Sequence, residues 1–455
     1  MEKVALKDVA AALGLAWQGD ESISGICTDT RMLEADCLFV AIKGDRFDGH
    51  NFAKKAIEGG AIAVLGQKDM AVGQDKQLIV DDSRKALMKI AAWYRRRFDL
   101  KVVAITGSVG KTTSKEMTAA VLSKKYKTLK NRGNLNNEIG LPMTVFGLDS
   151  SFEAAVLEMG MSDLGEIERL SEMAKPHIGV LTNIGVAHIE NLGSRENILL
   201  AKSEILKGMD KGSSLLLNAD DKLLMTIDPG EYEIISFGIE EENCDFRAVV
   251  KESVGNTASF DIIYEGKIQA LTLPTLGRHN IYNALSAFAV GVKLGVSPED
   301  AALALAEYKP AGMRQRIRQV QGFTFIEDCY NSSPDSLLAA LDVLNQYSSK
   351  RRIAVLGDML ELGQYSDRAH CQAGEAVAKN SIDILLTYGS QSRKSAERAR
   401  ELGVKTVMDF DSKNDLADKL LKLLLPGDTV LFKASRGMRL EDVIDILYGE
   451  LGTNE

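Results

Sequence analysis

"AITGSVGKTTSKEM", residues 104–117, decides the fold prediction for this chain. An apolar strand enters the stretch, two glycines follow, and a helical pattern begins directly afterwards. This order brings backbone N–H groups and the positive end of a helix dipole to one point, which is how proteins hold phosphate groups. The usual phosphate loop has four residues between its glycines, whereas only Ser108 and Val109 separate Gly107 from Gly110. The stretch therefore predicts a doubly wound domain with a shortened nucleotide-binding loop.

The polar side chains of this loop predict a site for a magnesium-bound nucleotide. The ammonium of Lys111 is placed to reach the β and γ phosphates, and the hydroxyl of Thr112 is placed to coordinate Mg²⁺. The alternative is a tight βα turn with a solvated lysine, which G-x-x-G-K-T-T between a strand and a helix makes the weaker interpretation. The expected nucleotide contacts are Gly107, Ser108, Val109, Gly110, Lys111, Thr112 and Thr113.

Three residues further along the chain are notable, and one of them, Glu158, is a candidate metal ligand. Glu158 ends the apolar strand AAVLEM, so we expect it beside the loop, although an acid at a strand end is often merely solvated. His188 follows another apolar strand, where a lone histidine is more often a surface residue than a ligand. Lys202 lies in the apolar stripe of the helical segment SRENILLAKSEILKGM. Such a lysine either extends its ammonium to water or is modified or poised at a site.

Composition restricts the class of protein. The 455 residues carry a formal net charge of −9, which argues against a nucleic-acid partner held by a general electrostatic field. No apolar run is long enough to span a bilayer, and the N-terminus lacks a secretory signal, so we expect a cytoplasmic protein without membrane insertion. The five cysteines are scattered and never spaced C-x-x-C, which favours reduced thiols over disulfides or zinc.

The pattern of strands and helices divides the chain into three α/β domains. We place them at residues 1–98, 99–312 and 313–455. Strands are predicted at DCLFVAIKG, AIAVLG and QLIVDD in the first, AAVLEM and IGVLTNI in the second, and GFTFIED, RIAVLGD, DILLTYG and DTVLFKAS in the third. Residues 232–273 alternate in strand fashion, so we expect an antiparallel extension of the central sheet there.

Several motifs together resemble those of a known family. TGSVGKTT, LEMG, NIGVAHIENLG, AKSEI and GRHNIYNALSAFAV are similar, in this order, to motifs of the ATP-dependent Mur ligases of peptidoglycan synthesis. The resemblance covers nearly the whole chain, and a shortened loop is normal for that family. It implies a UDP-sugar-binding N-terminal domain, a central P-loop domain that binds ATP with Mg²⁺, and a Rossmann-like C-terminal domain for the amino substrate.

The resemblance also implies roles for individual residues. In such ligases the lysine matching Lys202 is carbamylated and supports Mg²⁺, while the residues matching Thr112, Glu158 and His188 serve the metals. Further implied nucleotide contacts are Asn283, Arg314, Asp328 and Asn331. The residues to which we give catalytic roles are Lys111, Lys202, His188 and Arg314.

The N-terminal stretch TDTRMLEADCLFVAIKGDRFDGHNFA resembles the UDP-sugar-binding domain of the members that add the third residue or the final dipeptide. A polar surface loop between strands is the alternative interpretation. The candidates for uridine and diphosphate contacts are Asp29, Thr30, Arg31, Lys43, Asp48, Gly49 and His50. Asn134 and Asn137, in GNLNNEIGLP, lie where the family holds its muramyl substrate.

EDCYNSSPDS separates these two kinds of member. The dipeptide-adding ligases read Asp-x-Tyr-Asn-Ala-Asn-Pro there, which Tyr330, Asn331 and Pro334 match, and Ser332 and Ser333 depart from it. The resemblance thus implies a monomeric ligase that joins D-Ala-D-Ala to a UDP-muramoyl tripeptide through an acyl phosphate. Two alternatives stay open: a sibling ligase, of the third-residue or folylpolyglutamate type, and a P-loop ATPase that binds a protein partner.

Overall fold

The computed structural model describes residues 1–44, 47–252 and 255–452. Its sheets have two, four, nine and six strands, and helices accompany each of the three larger sheets. This arrangement confirms the predicted three-part α/β fold. None of the helices formed by these residues combines the length and the apolar composition needed to cross a bilayer.

The N-terminal unit is built on a four-stranded parallel sheet in the order β3-β4-β5-β6, with β1 and β2 as a separate antiparallel pair. Its strands are β1 (Val4–Ala5), β2 (Ser22–Ile23), β3 (Gly25–Cys27), β4 (Cys37–Val40), β5 (Ala63–Gly66) and β6 (Gln77–Ile79), and its helices are α1 (Leu6–Ala12), α2 (Ala53–Glu58) and α3 (Ser83–Arg95). The three strands predicted in this unit are confirmed as β4, β5 and β6. Because the sheet is parallel, the carboxyl ends of its strands share one edge.

The central unit contains a nine-stranded sheet in the order β15-β14-β13-β12-β11-β10-β7-β9-β8. Its strands are β7 (Lys101–Thr106), β8 (Thr128–Lys130), β9 (Ala154–Glu158), β10 (Ile178–Leu181), β11 (Ser214–Asn218), β12 (Glu233–Gly238), β13 (Phe246–Val250), β14 (Ala258–Tyr264) and β15 (Lys267–Leu273). Its helices are α4 (Lys111–Leu122), α5 (Gly140–Val145), α6 (Glu166–Ala174), α7 (Ile189–Leu192), α8 (Arg195–Ser203), α9 (Arg278–Lys293) and α10 (Pro298–Ala306).

The predicted antiparallel extension over residues 232–273 is only partly right. β12 pairs in parallel with both β11 and β13, and antiparallel pairing begins between β13 and β14. The connection from β11 to β12 contains the 3₁₀ turn Leu224–Thr226 and is long enough for a crossover, which parallel neighbours require. Alternation of apolar residues does not distinguish the two kinds of pairing.

The third unit contains a six-stranded sheet in the order β16-β17-β21-β18-β19-β20, parallel except for the β16–β17 hairpin. Its strands are β16 (Arg316–Val320), β17 (Phe323–Glu327), β18 (Arg351–Gly357), β19 (Ile384–Tyr388), β20 (Thr406–Phe410) and β21 (Asp428–Lys433), and its helices are α11 (Pro334–Gln346), α12 (Ser366–Lys379), α13 (Arg393–Glu401), α14 (Lys413–Leu423) and α15 (Glu441–Glu450). All four strands predicted here are confirmed. The predicted domain boundaries at 98/99 and 312/313 fall between elements and stay predictions.

Buried side chains join the first two units into one packed body. One apolar cluster contains Leu87 of α3 together with Leu157 of β9, and α3 packs against α5 and α6 of the central unit. Tyr94 of α3 is fully buried, accepts a hydrogen bond from the Glu2 amide and donates one to the Leu148 carbonyl, both at 2.7 Å. α4 and α9 cover one face of the sheet. The carboxyl ends of β7, β9 and β10 are thereby held side by side.

Candidate active site

A cavity of about 1230 Å³ lies between the carboxyl ends of the central strands and the third unit. This is the crevice where parallel α/β sheets usually bind ligands. The predicted residues that line it are Ser108, Val109, Gly110, Lys111, Thr112, Thr113, Asn134, Asn137, Glu158, His188, Asn283, Arg314, Asp328 and Asn331. Gly107 and Lys202 are not among the lining residues that the structure describes.

The two glycines of the loop are needed for its conformation. Gly107 has φ 151° and Gly110 has φ 86°, in the region that residues with a side chain rarely adopt. A Cβ atom on Gly107 would lie 1.9 Å from Thr182 Oγ1, and one on Gly110 would lie 2.5 Å from Asn283 Oδ1. Both positions therefore combine an unusual backbone conformation with close packing.

The segment after β10 fixes the loop through hydrogen bonds. The Ser108 amide donates to the Asn183 carbonyl at 3.0 Å, and the Val109 amide donates to Asn183 Oδ1 at 2.9 Å. The Val109 carbonyl accepts from Thr182 Oγ1 at 2.6 Å, and Ser108 Oγ accepts from the Gly185 amide at 2.8 Å. Sequence reasoning missed Thr182 and Asn183, although both belong to the apolar strand and loop IGVLTNIG that it singled out.

Lys111 begins α4 and turns back over the loop. Its Nζ donates to the Gly107 carbonyl at 2.8 Å and to the Ser108 carbonyl at 3.3 Å. Burial lowers the pKa of Lys111, Arg314 lowers it further by charge repulsion, and Glu158 acts in the opposite direction. The Lys111 ammonium group thus lies where phosphate oxygens would enter the loop.

Glu158 is the last residue of β9 and is 2% exposed. Its Oε1 accepts a hydrogen bond from Asn136 Nδ2 at 2.8 Å. Its Oε2 is buried and has no hydrogen-bond partner among the residues that the structure describes. A buried carboxylate oxygen without a partner among the described residues, in a cavity that the buried Thr112 also lines, fits the oxygen donors that Mg²⁺ prefers. Asn136, which sequence reasoning also missed, lies between the predicted Asn134 and Asn137.

His188 lies on the same side of the sheet as the loop, as predicted, but its ring faces the third unit. Its Nδ1 is 2.9 Å from Glu361 Oε2. This contact lowers the pKa of the Glu361 carboxyl. Among the described residues no hydrogen-bond partner is found for the other ring nitrogen of His188, and its role at a metal stays a prediction.

Lys202 is 1% exposed on α8, which excludes the interpretation that its ammonium extends to water. Its ammonium makes no hydrogen bond or ion pair with any other side chain or backbone group in the described part of the chain. Burial lowers the pKa of Lys202 well below its ordinary value, and the charge of Lys111 adds to this shift. The side chain is therefore driven towards the neutral amine.

The entry to the third unit brings several predicted residues to the cavity. Asp328 Oδ2 lies 2.9 Å from Lys433 Nζ, which also donates to the Asn331 carbonyl at 3.0 Å. The Arg314 guanidinium stacks 3.7 Å from the centre of the Tyr330 ring. On the central unit's side, Asn283 Oδ1 accepts from Ser114 Oγ at 3.0 Å. Arg314 and Lys433 of the third unit thus line the same cavity as Lys111 of the central unit.

The two serines that depart from the family motif have different surroundings. Ser333 is the N-cap of α11 and forms a capping box with Ser336, and Pro334 is the first residue of the helix. Because serine and asparagine are both favoured N-caps, the exchange at this position preserves the helix start. Ser332 is buried, and its hydroxyl has no partner within the described ranges.

The predicted UDP-sugar residues lie apart from this cavity, at the carboxyl edge of the N-terminal sheet. Asp29, Thr30 and Arg31 follow β3, and the other four follow β4. Asp29 accepts hydrogen bonds of 2.5–3.0 Å from the guanidinium and amide of Arg31, which lower its pKa to about 2. Lys43 and Asp48 form an isolated antiparallel bridge across the next loop.

His50 is held by contacts inside the N-terminal unit, and its predicted role in binding the UDP moiety stays a prediction. His50 Nδ1 lies 2.5 Å from Asp48 Oδ1, and Nε2 accepts from the Gln67 amide at 2.8 Å. Both ring nitrogens are therefore used inside the unit. The ring holds this loop in shape, and Asp48, whose pKa the His50 contact lowers to about 2, keeps a charge at the surface.

Asn134 and Asn137 are both exposed at the cavity. Asn137 Oδ1 accepts from the amides of Ile139 and Gly140, which stabilises the turn into α5. His279, another lining residue that sequence reasoning missed, is half-buried, and its removal from water lowers its pKa to about 4. Its position inside the motif GRHNIYNALSAFAV was the available signal.

Family models match each of the three units. "Mur ligase family, catalytic domain" matches residues 22–95, "Mur ligase middle domain" matches residues 105–291, and "Mur ligase, glutamate ligase domain" matches residues 313–436. Together these matches cover most of the chain in the order expected from its motifs.

Curated relatives and solved structures agree with these models. The UDP-N-acetylmuramoyl-tripeptide–D-alanyl-D-alanine ligase of Bacillus subtilis is 39% identical, with 93% of this chain and 92% of the relative covered. A crystal structure of MurF from Acinetobacter baumannii has a TM-score of 0.91 at 32% identity, covering 99% of both chains. MurF ligase from Thermotoga maritima in complex with ADP has a TM-score of 0.84 at 29% identity, covering 94% of this chain and 97% of that one. The chain belongs to the Mur ligase family.

Proposed function

We propose that this chain is an ATP-dependent ligase that joins D-alanyl-D-alanine to UDP-N-acetylmuramoyl-tripeptide, giving ADP and phosphate, in peptidoglycan precursor synthesis. One observation carries the proposal: a single cavity is lined by the nucleotide loop, by Glu158, by Asn134 and Asn137, and by the third unit's Tyr330. A ligase needs these parts together, because it must bring three substrates to one point. Relatives that carry the name of this activity match over more than nine-tenths of both chains.

The first step activates the tripeptide. An oxygen of its terminal carboxylate attacks the γ-phosphorus of ATP, and the bond from that phosphorus to the bridging oxygen breaks, giving an acyl phosphate and ADP. Carboxylate and γ-phosphate repel each other, so Lys111 and the loop amides stabilise the transfer by offsetting the negative charge. Arg314 and Asn283 are our further candidates for contacts with the nucleotide, with Asp328 and Asn331 at the entry to the third unit.

The second step forms the peptide bond. The free amine of D-alanyl-D-alanine attacks the acyl carbon, loses a proton, and expels phosphate. The third unit would hold this amine and exclude water, which would otherwise hydrolyse the acyl phosphate. Thr112 and Glu158 would hold Mg²⁺, with His188 as a further ligand, and the bound ion supplies neutralising charge for the phosphates.

The remaining assignments follow the family. We assign the UDP moiety to the N-terminal edge, through Asp29, Thr30, Arg31, Lys43, Asp48, Gly49 and His50. We propose that Lys202 is carbamylated: its neutral amine adds to CO₂ and loses one proton, and the resulting anion supports the metal site. We propose domain bounds of 1–98, 99–312 and 313–455. We also propose that the protein is a monomer and acts in the cytoplasm, where ATP and nucleotide sugars are available.

The test is phosphate release from ATP in the presence of UDP-muramoyl tripeptide. We expect release with D-alanyl-D-alanine and little with single amino acids, and no release by Lys111→Ala, whose circular dichroism should be unchanged. Release that a single amino acid stimulates would instead identify a sibling ligase. Release without any amine would favour a P-loop ATPase with a protein partner.

A further inference from the structure

Lys115 is a charged residue that the proposed mechanism does not use. It lies on α4, one turn after Lys111, and its side chain is completely buried. Its Nζ donates to the Asn131 carbonyl at 2.8 Å and lies 3.2 Å from Glu116 Oε1 and 3.7 Å from Glu158 Oε2. A buried ammonium is costly unless charge and hydrogen bonds compensate it, so this position has a specific function in the fold or in the site.

The same network fixes Glu158 from three sides. Asn131, which is fully buried, accepts from the Glu158 amide through Oδ1 at 2.9 Å and donates from Nδ2 to the Glu158 carbonyl at 3.3 Å. Asn136 donates to Glu158 Oε1. The Lys115 ammonium then faces the remaining oxygen, Oε2. The orientation of the carboxylate is therefore set before any ligand enters.

The two carboxylates of this network, Glu116 and Glu158, have different numbers of cationic partners. Glu116 has a second partner, since Lys130 Nζ bonds to its Oε2. Glu158, in contrast, has Lys115 as the single cation within 4 Å of its carboxylate among the described residues. At 3.7 Å the ammonium stabilises the negative charge but is too distant for a hydrogen bond, so the lone pairs of Oε2 stay free.

We propose that Lys115 is a positioning residue for the metal site: it keeps Glu158 oriented with Oε2 open to a divalent cation, and the Asn131 carbonyl anchors the Lys115 ammonium. This inference rests on the proposed function, in which Glu158 is a magnesium ligand. Partners of this kind, which touch a ligand residue and not the metal, tune metal affinity in other proteins. A purely structural ion pair is the competing explanation.

The experiment measures how ADP affinity depends on Mg²⁺, by titration calorimetry, in the parent protein and in Lys115→Met. Methionine retains the apolar stem and removes the charge. We expect the apparent Mg²⁺ affinity to weaken about tenfold, the lower end of the range for such partners. Lys124→Met is the matched control, because it removes a partly exposed lysine just after the same helix, and it should bind like the parent.

A double-variant comparison separates positioning from structure. If Lys115 acts through Glu158, Lys115→Met should weaken Mg²⁺ binding by less than about twofold once Glu158→Gln is present. Equal binding by Lys115→Met and the parent, or losses that multiply in the double variant, would overturn the inference. Lys115→Gln, which can still donate to Asn131, gives the same comparison if the methionine variant does not fold. A parent protein without Mg²⁺-dependent ADP binding would instead refute the proposed function itself.

Discussion

Replacing Gly107 by alanine should damage nucleotide binding without unfolding the protein. The new Cβ atom would lie 1.9 Å from Thr182 Oγ1 and 3.1 Å from the Thr182 amide nitrogen, so the threonine side chain must move. Its movement breaks the 2.6 Å hydrogen bond to the Val109 carbonyl, worth about 1 kcal/mol. The backbone at φ 151° adds about 1–3 kcal/mol of strain. The loop conformation that binds phosphate is therefore disfavoured by about 2–4 kcal/mol, which corresponds to about 30- to 700-fold weaker binding of ADP.

The assay for this prediction is calorimetric titration with ADP and Mg²⁺, beside urea unfolding of each variant. Gly14→Ala is the control, because Gly14 has φ 77°, a Cβ atom added to it would meet no other atom within 4 Å, and it lies in the N-terminal unit. It should lose about 1 kcal/mol of stability and bind ADP normally. Binding of ADP by Gly107→Ala within threefold of the parent would refute the reasoning, because the loop would then tolerate the displaced threonine.

Three further predictions concern buried groups. Lys202→Ala should lower kcat by about 10- to 100-fold, and excess bicarbonate should not restore it, whereas normal turnover would contradict carbamylation. Removal from water lowers the pKa of His279 from 6.5 to about 4, so between these pH values the unfolded chain binds a proton that the folded chain does not. The free energy of unfolding should therefore fall as the pH drops through this range. The urea midpoint of His279→Gln should fall less than that of the parent over the same range. Tyr94→Phe leaves the Glu2 amide and the Leu148 carbonyl unpaired, and urea unfolding should show a loss of about 1–3 kcal/mol, whereas an unchanged midpoint would mean that water satisfies both groups.

The sequence predicted those parts of the fold that are formed by residues close together in the chain. The apolar strand, the glycines and the helix start of residues 101–122 follow one another in sequence, so their combination could be recognised directly. Glu158 and His188 were expected near the loop because carboxyl ends of parallel strands share an edge, and both line the cavity. The helical stripe drew attention to Lys202 but left open whether its ammonium reaches water, and the structure shows the side chain buried.

Features that depend on residues far apart in the chain could not be predicted. The short edge strands β8, β16 and β20 carry weak apolar patterns, because one side of each is unpaired. The His50 ring is bonded to Gln67, seventeen residues away, and nothing near His50 indicates this partner. Lys115 resembles an ordinary helix lysine until Asn131 and Glu158 are brought to it by the sheet.

The hydrogen bonds from Thr182 and Asn183 have a consequence for protein engineering. The loop after β7 owes its shape to side chains from the segment that follows the neighbouring strand β10, not to its own sequence alone. Grafting residues 104–117 into an unrelated βα turn would therefore transplant the glycines and the lysine without their support. The smallest transferable module is a pair of adjacent strands with both of their loops.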